Sequence, residues 1–143
     1  GTTKSQVELQ SIADNLGIGE RVEFTGSVTA EHKNDLIGNA LFVCMPSRYE
    51  GWGIVAIEAG AASKAVVGTN ISGLADAIHP GKTGLLVPPE NSKALSSAMQ
   101  QLLSNSILRR QLGRAGKKWA ESFTWDSVAA SQEKVYISVA NQQ

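Results

Sequence analysis

Three short runs of unbroken apolar residues constrain this chain more than any other feature: Leu41–Met45, Ala65–Val67 and Leu85–Val87. A strand wetted on one side alternates polar and apolar residues, whereas an unbroken run suits a strand covered on both faces, as in a parallel sheet. Covers for such a sheet can be read beside them. Leu9, Ile12, Ala13 and Leu16 follow the i, i+3, i+4, i+7 spacing of an amphipathic helix, and Gly17 stands where a C-cap would close it. Leu95, Ala98, Met99, Leu102 and Leu103 repeat the spacing after Asn91, a residue suited to the N-cap. A third helix carries Leu108, Leu112, Ala115 and Trp119, and a fourth opens at Thr124 and carries Val128, Val135, Tyr136 and Val139. All four stripes are expected to face a core. Val22 and Phe24 alternate with polar neighbours, which predicts an edge strand over Val22–Thr25. Helix and strand patterns alternate to about residue 87 and helices follow, so the pattern predicts an α/β fold with a mostly parallel sheet and a helical end. No repeat or linker breaks the chain, and one unit is expected.

Composition removes several function classes. Thirteen Lys and Arg balance thirteen Asp and Glu, so bulk charge does not favour nucleic acid or a membrane surface. The longest apolar run, Ala40–Met45, is far short of the ~18 residues that a membrane span needs. The single Cys44 allows no internal disulfide, which fits a reducing, cytoplasmic setting. It sits in an apolar run and reads as core filler. His32 and His79 stand far apart with no Cys or His at ligand spacing, so no metal is expected.

The chemistry concentrates in Pro46-Ser47-Arg48-Tyr49-Glu50-Gly51-Trp52-Gly53, followed by the helix-like Ile54-Val55-Ala56-Ile57-Glu58-Ala59. Ligands of open α/β sheets bind beyond the carboxyl ends of the strands, where this loop lies. Glycines let backbone approach a ligand, and the amides that open a helix suit phosphate. A carboxylate one turn into the helix can accept both hydroxyls of a ribose or sugar diol. These features suggest a site for a phosphorylated sugar or nucleotide. The alternative is a tight strand-to-helix turn with solvated Glu residues, and Glu23 and Glu31 show the same spacing with no role assigned.

Pro46 to Ala59 resembles the signature of the retaining glycosyltransferases of group 1, with its Glu, seven residues, Glu motif. Arg21-Val22-Glu23-Phe24-Thr25-Gly26 is similar to the third strand of that family's C-terminal domain, Leu41–Ser47 to its fourth and Ala65–Thr69 to its fifth. Gly81–Pro89 resembles the turn and strand that follow, and Phe123-Thr124-Trp125 the opening of the closing helix. The resemblance implies the Rossmann-like, donor-binding C-terminal domain of a GT-B enzyme, here without its first two strands. In the implied strand order 3-2-1-4-5-6, the absent pair is central, and direct pairing of Val22–Thr25 with Leu41–Met45 is the favoured expectation. The partner implied is a nucleotide-diphosphate sugar donor, with the acceptor held mainly by an N-terminal domain. Neither cofactor nor metal is implied. By position, Glu58 would bind the ribose hydroxyls and Glu50 would be the catalytic residue, lying beside the donor sugar and orienting it. Gly51, Trp52 and Gly53 would line sugar and diphosphate, the amides of Ile54 and Val55 would meet phosphate, and Gly26, Ser27 and Val28 would flank the base. Other readings are a non-catalytic nucleotide-sugar-binding module and a GT-B epimerase.

Departures from the pattern are local. Ser63-Lys64-Ala65 stands where the family has Gly-x-Pro, and Ser72-Gly73-Leu74-Ala75-Asp76 replaces Gly-Gly-x-x-Glu. The Gly-Arg…Lys segment that grips the diphosphate in the family has no counterpart here. Asp76 reads either as a helix cap or as a ligand contact. Arg110, Arg114, Lys117 and Lys118 form one basic helical stripe, read as a solvated face or as contact with an anionic membrane or lipid-linked acceptor. Trp119 and Trp125 read as core residues, and the sequon Asn70-Ile71-Ser72 as chance.

Overall fold

A computed structural model describes residues 3–141, which divide between Lys33 and Asn34 into two compact units. In the first unit, α1 (Thr3–Asn15) is followed by a short 3-10 turn at Gly19–Arg21. Gly17 adopts φ 69°, its N–H donates to the Asp14 carbonyl (2.9 Å) and the Ile18 N–H to that of Ala13 (3.0 Å). This pair of bonds is the Schellman closure, and it satisfies carbonyls that the helix end leaves free. Ala13 is buried, but Leu9, Ile12 and Leu16 are exposed, contrary to the expectation that this stripe faces a core.

The expected strand at Val22–Thr25 is corrected. Val22 has extended backbone (φ −115°, ψ 120°), yet residues 22–26 belong to no strand among those described. Alternation encodes extended backbone; a strand also requires a hydrogen-bonded neighbour. Hence residues 22–25 offer no strand for the favoured pairing with Leu41–Met45.

The sheet is parallel, with three strands in the order β1 (Phe42–Met45), β2 (Ala65–Thr69), β3 (Gly84–Val87). Phe42 faces Ala65 in register and Val66 faces Gly84. Helices α2 (Ala30–Asn39), α3 (Ile54–Ala61), α4 (Ser72–Ala77), α5 (Ser92–Ser104), α6 (Ser106–Ala120) and α7 (Trp125–Ala140) are the other elements among the described residues. Every β2 residue is buried, as its unbroken apolar run requires. Its side chains alternate between two core layers. Val66 joins Met45, Ala56, Ala59, Leu74 and Ile78, while Ala65 and Val67 join Val87, Ala98, Leu102 and Leu112. The α5 and α6 stripes therefore face the core as expected, apart from exposed Leu103. Half-buried Cys44 lies in β1, where burial pushes its thiol pKa up.

The helix ends follow side-chain chemistry. The Asn91 side chain accepts from the Ala94 N–H (2.9 Å), and Asn105 likewise from Leu108. Thr124 and Ser127 form a reciprocal capping box at the start of α7. Yet Val128, Val135, Tyr136 and Val139 are all exposed, so α7 is the second helix whose stripe does not face a core. An amphipathic stripe demands a cover, and the residues of this unit do not supply one. The side chain of Trp125 lies outside the described residues.

Glycines bring α6 onto α3 and its exit turn. A Cβ on Gly113 would stand 2.0 Å from the Ser63 carbonyl oxygen, and one on Gly60 would stand 2.8 Å from that of Gly116. No side chain fits between these backbones.

Candidate active site

The loop from Pro46 to Gly53 leaves the carboxyl end of β1 and opens α3. Gly53 is the N-cap, in the left-handed region at φ 69°. The loop is seated on α4 by glycines from both sides. A Cβ on Gly73 would stand 2.2 Å from the Glu50 carbonyl oxygen, and one on Gly53 would stand 2.9 Å from Leu74 Cδ2. At the neighbouring strand end, buried Thr69 donates its hydroxyl to the Ser47 carbonyl. These contacts fix the backbone path around Glu50.

Ile54 and Val55 occupy the first helical positions, where amide hydrogens have no acceptor within the helix. Glu58 lies one turn further, and Cβ bonds in a helix tilt toward its N-terminus, so the carboxylate leans back toward the loop. Both Glu50 and Glu58 are half-buried, and Oε2 of Glu58 is shielded from solvent. The structure thus brings Glu50, Gly51, Trp52, Gly53, Ile54, Val55 and Glu58 together on one loop and helix start. Gly26, Ser27 and Val28 lie in the first unit, with Gly26 at φ 62°.

Trp52 joins a chain of rings. Its indole meets Phe123 edge-on at 4.9 Å, Phe123 meets Trp119 at 4.7 Å, and Trp119 lies 4.2 Å from His79. Half-buried Trp119 also donates from Nε1 to the Ala77 carbonyl (3.0 Å) at the end of α4. A cavity of about 470 Å³ opens beside Trp52, Phe123 and Val128. Another, of about 290 Å³, touches the carboxyl ends of all three strands through Pro46, Thr69 and Val87. Arg48 borders the second cavity and pairs with Glu90 at 3.0 Å, both well exposed. Glu50 and Glu58 line neither.

Sequence reasoning did not find the seating roles of Thr69 and Gly73 or the ring contact of Phe123. The last two lie in the segments Ser72–Asp76 and Phe123–Trp125, so the signal was present without its meaning. Asp76 is not a cap: it is exposed and fifth of the six residues of α4, whose N-cap is Ile71. Among the described residues, no group of three or more His, Cys, Asp or Glu is placed to hold a metal.

The profile of the glycosyl transferases group 1 family matches residues 1–119. The chain belongs to this family. It is 36% identical over 130 residues to a D-inositol 3-phosphate glycosyltransferase of Streptomyces avermitilis, covering 91% of this chain and 28% of that protein. An uncharacterized glycosyltransferase of Methanocaldococcus jannaschii is 31% identical, with 99% of this chain and 39% of its own length covered. Among solved structures, sucrose-phosphate synthase from Thermosynechococcus elongatus superimposes with a TM-score of 0.85 at 30% identity, over 98% of this chain and 35% of that one. Anabaena HepE, in complex with UDP, gives a TM-score of 0.81 at 23% identity, over 97% and 38%. This family member thus spans between about a quarter and two-fifths of the relatives it matches. Its parallel sheet with flanking helices is that of the Rossmann-like C-terminal domain of GT-B glycosyltransferases.

Proposed function

We propose that this chain is the donor-binding part of a retaining glycosyltransferase, which moves a sugar from a nucleotide-diphosphate sugar to an acceptor. The observation that carries the reading is the loop of Glu50 held between β1 and α3, with Glu58 leaning toward it from the first turns of the helix. Glu58 accepts the ribose hydroxyls, a charge-assisted contact of the stronger kind. Glu50 orients the donor sugar, and the amides of Ile54 and Val55 with the dipole of α3 meet the diphosphate. Gly51, Trp52 and Gly53 line sugar and diphosphate. No covalent nucleophile takes part; the leaving diphosphate itself helps to deprotonate the acceptor. Acceptor binding and transfer fall to parts of a longer protein, in keeping with the 28–39% of its curated relatives that the chain covers. No helix of the described residues is long and apolar enough to cross a membrane, and the free Cys44 suits a reducing compartment, which supports a cytoplasmic setting.

Titration of uridine diphosphate by calorimetry tests the reading, since that nucleotide occupies the Anabaena relative. Saturable binding is expected, weakened by Glu58→Ala roughly ten- to a hundredfold through loss of a charge-assisted contact. Glu50→Gln should leave this affinity within about threefold and lower turnover in the full-length enzyme. No binding by the parent chain, or equal binding by Glu58→Ala, would remove the ribose assignment.

A further inference from the structure

At the opposite end of the sheet from the donor loop lies a groove of about 650 Å³. Lys82 and Ser63 enter it from the turns before β3 and β2, Arg114, Lys117 and Lys118 from α6, and Glu121 from the C-cap of that helix. Strands of four to five residues at ~3.3 Å each place it about 15 Å from the carboxyl ends where the donor loop sits. Four cations thus face one carboxylate, and among the described residues none of the four is in an ion pair.

The frame beneath these charges is tied down. Gly113 and Gly116 seat α6 against Ser63 and Gly60 with no space for a side chain. The Lys82 turn is closed by the buried Thr83 hydroxyl accepting from the His79 N–H (2.8 Å), and by the Gly81 N–H donating to the Gly84 carbonyl (2.8 Å). The turn therefore holds the backbone of a fourth cation, exposed Lys82, beside a helix that already carries three. A solvated charge stripe needs no such convergence from two elements.

We propose that this groove binds a small oligophosphate, free or as part of a phosphorylated metabolite. One exposed ion pair is worth little, so a singly charged anion would not be retained. Several phosphate charges met by several cations at once would be, and the Arg114 guanidinium matches phosphate oxygens in pairs. The volume lies in the range of small-ligand sites, ~300–1,000 Å³.

Calorimetric titration of the chain with sodium tripolyphosphate tests this. The expected result is one saturable site per chain, weakened about tenfold by Lys82→Gln and again by Arg114→Gln, each removing a charged contact. Arg110→Gln is the control, because Arg110 shares the helix but lies outside the groove; it should change affinity by less than twofold. All three positions are exposed, so the variants keep the fold. Absence of saturable binding overturns the proposal, and so does equal weakening by Arg110→Gln, the mark of a diffuse stripe. Co-sedimentation with phosphatidylcholine–phosphatidylglycerol vesicles without tripolyphosphate binding also overturns it, in favour of membrane docking. A uridine diphosphate titration that Lys82→Gln leaves unchanged keeps this result separate from the donor site.

Discussion

At Gly73 the place of a side chain is already taken by the Glu50 carbonyl, 2.2 Å from where a Cβ would stand. Here the family pattern has two glycines and this chain has Ser72-Gly73. Ser72 is exposed, so a side chain costs nothing there, and the glycine retained is the one that geometry requires. Gly73→Ala should push the loop off α4 and destabilise by about 1–3 kcal/mol, the range for overpacking. Thermal melting should show a fall of roughly 4–12 °C. The opposite sign is expected at Ser63, which stands where the family has glycine and holds φ 59°. Left-handed backbone costs an L-residue about 1–2 kcal/mol, partly offset by the flexibility glycine adds to the unfolded chain. Ser63→Gly should therefore raise the melting midpoint by a few degrees. Cys44 carries the pH prediction. Its folded pKa is raised by burial, so its stabilising effect is complete below the unfolded thiol pKa and fades as pH climbs through the folded one. Melting temperatures of the parent and Cys44→Ala should diverge from their neutral-pH difference only on the alkaline side. These residues were visible in the sequence, but φ angles and backbone approaches leave no mark in hydropathy.

Among the elements, the caps were the most legible. Gly17, Asn91 and Thr124 all terminate helices as their chemistry demands, because a cap is a local bargain between one side chain and the nearest free amides or carbonyls. The strand at Val22–Thr25 was misread because pairing is not local. The core positions of α1 and α7 failed for the same reason: periodicity shows which face wants cover, not whether cover exists. The loop and α3 of the site were legible as strand, glycines and helix, whereas the ring chain of Trp52, Phe123, Trp119 and His79 joins residues far apart in sequence. That chain ties the segment just before α7 to the loop of Pro46–Gly53. Phe123→Ala breaks two of its three ring contacts, each worth ~0.5–1.5 kcal/mol beyond burial. Near-ultraviolet circular dichroism should lose intensity in the tryptophan region, and the Ala56 amide, bonded to the Gly53 carbonyl (2.8 Å), should exchange faster. Unchanged exchange there would show that the rings do not hold the loop.

For the molecule as a whole, protection from hydrogen exchange should follow burial. Amides of Ala65–Thr69 should exchange slowest and, among the helices, those of α1 and α7 fastest, since β2 is covered on both faces and paired on both edges while the stripes of those helices lie open. The sheet has a further consequence, for the order in which it can be made. Parallel neighbours cannot be joined by a hairpin, and Phe42 meets Ala65 and Val66 meets Gly84 only after an intervening helical crossover. Each ladder closes a segment of roughly twenty residues before its first bond can repay the lost chain freedom. On a ribosome, no rung can close until β2 has emerged, and β2 stays bare on one edge until β3 follows. The most buried strand of the finished domain is for that interval its most exposed.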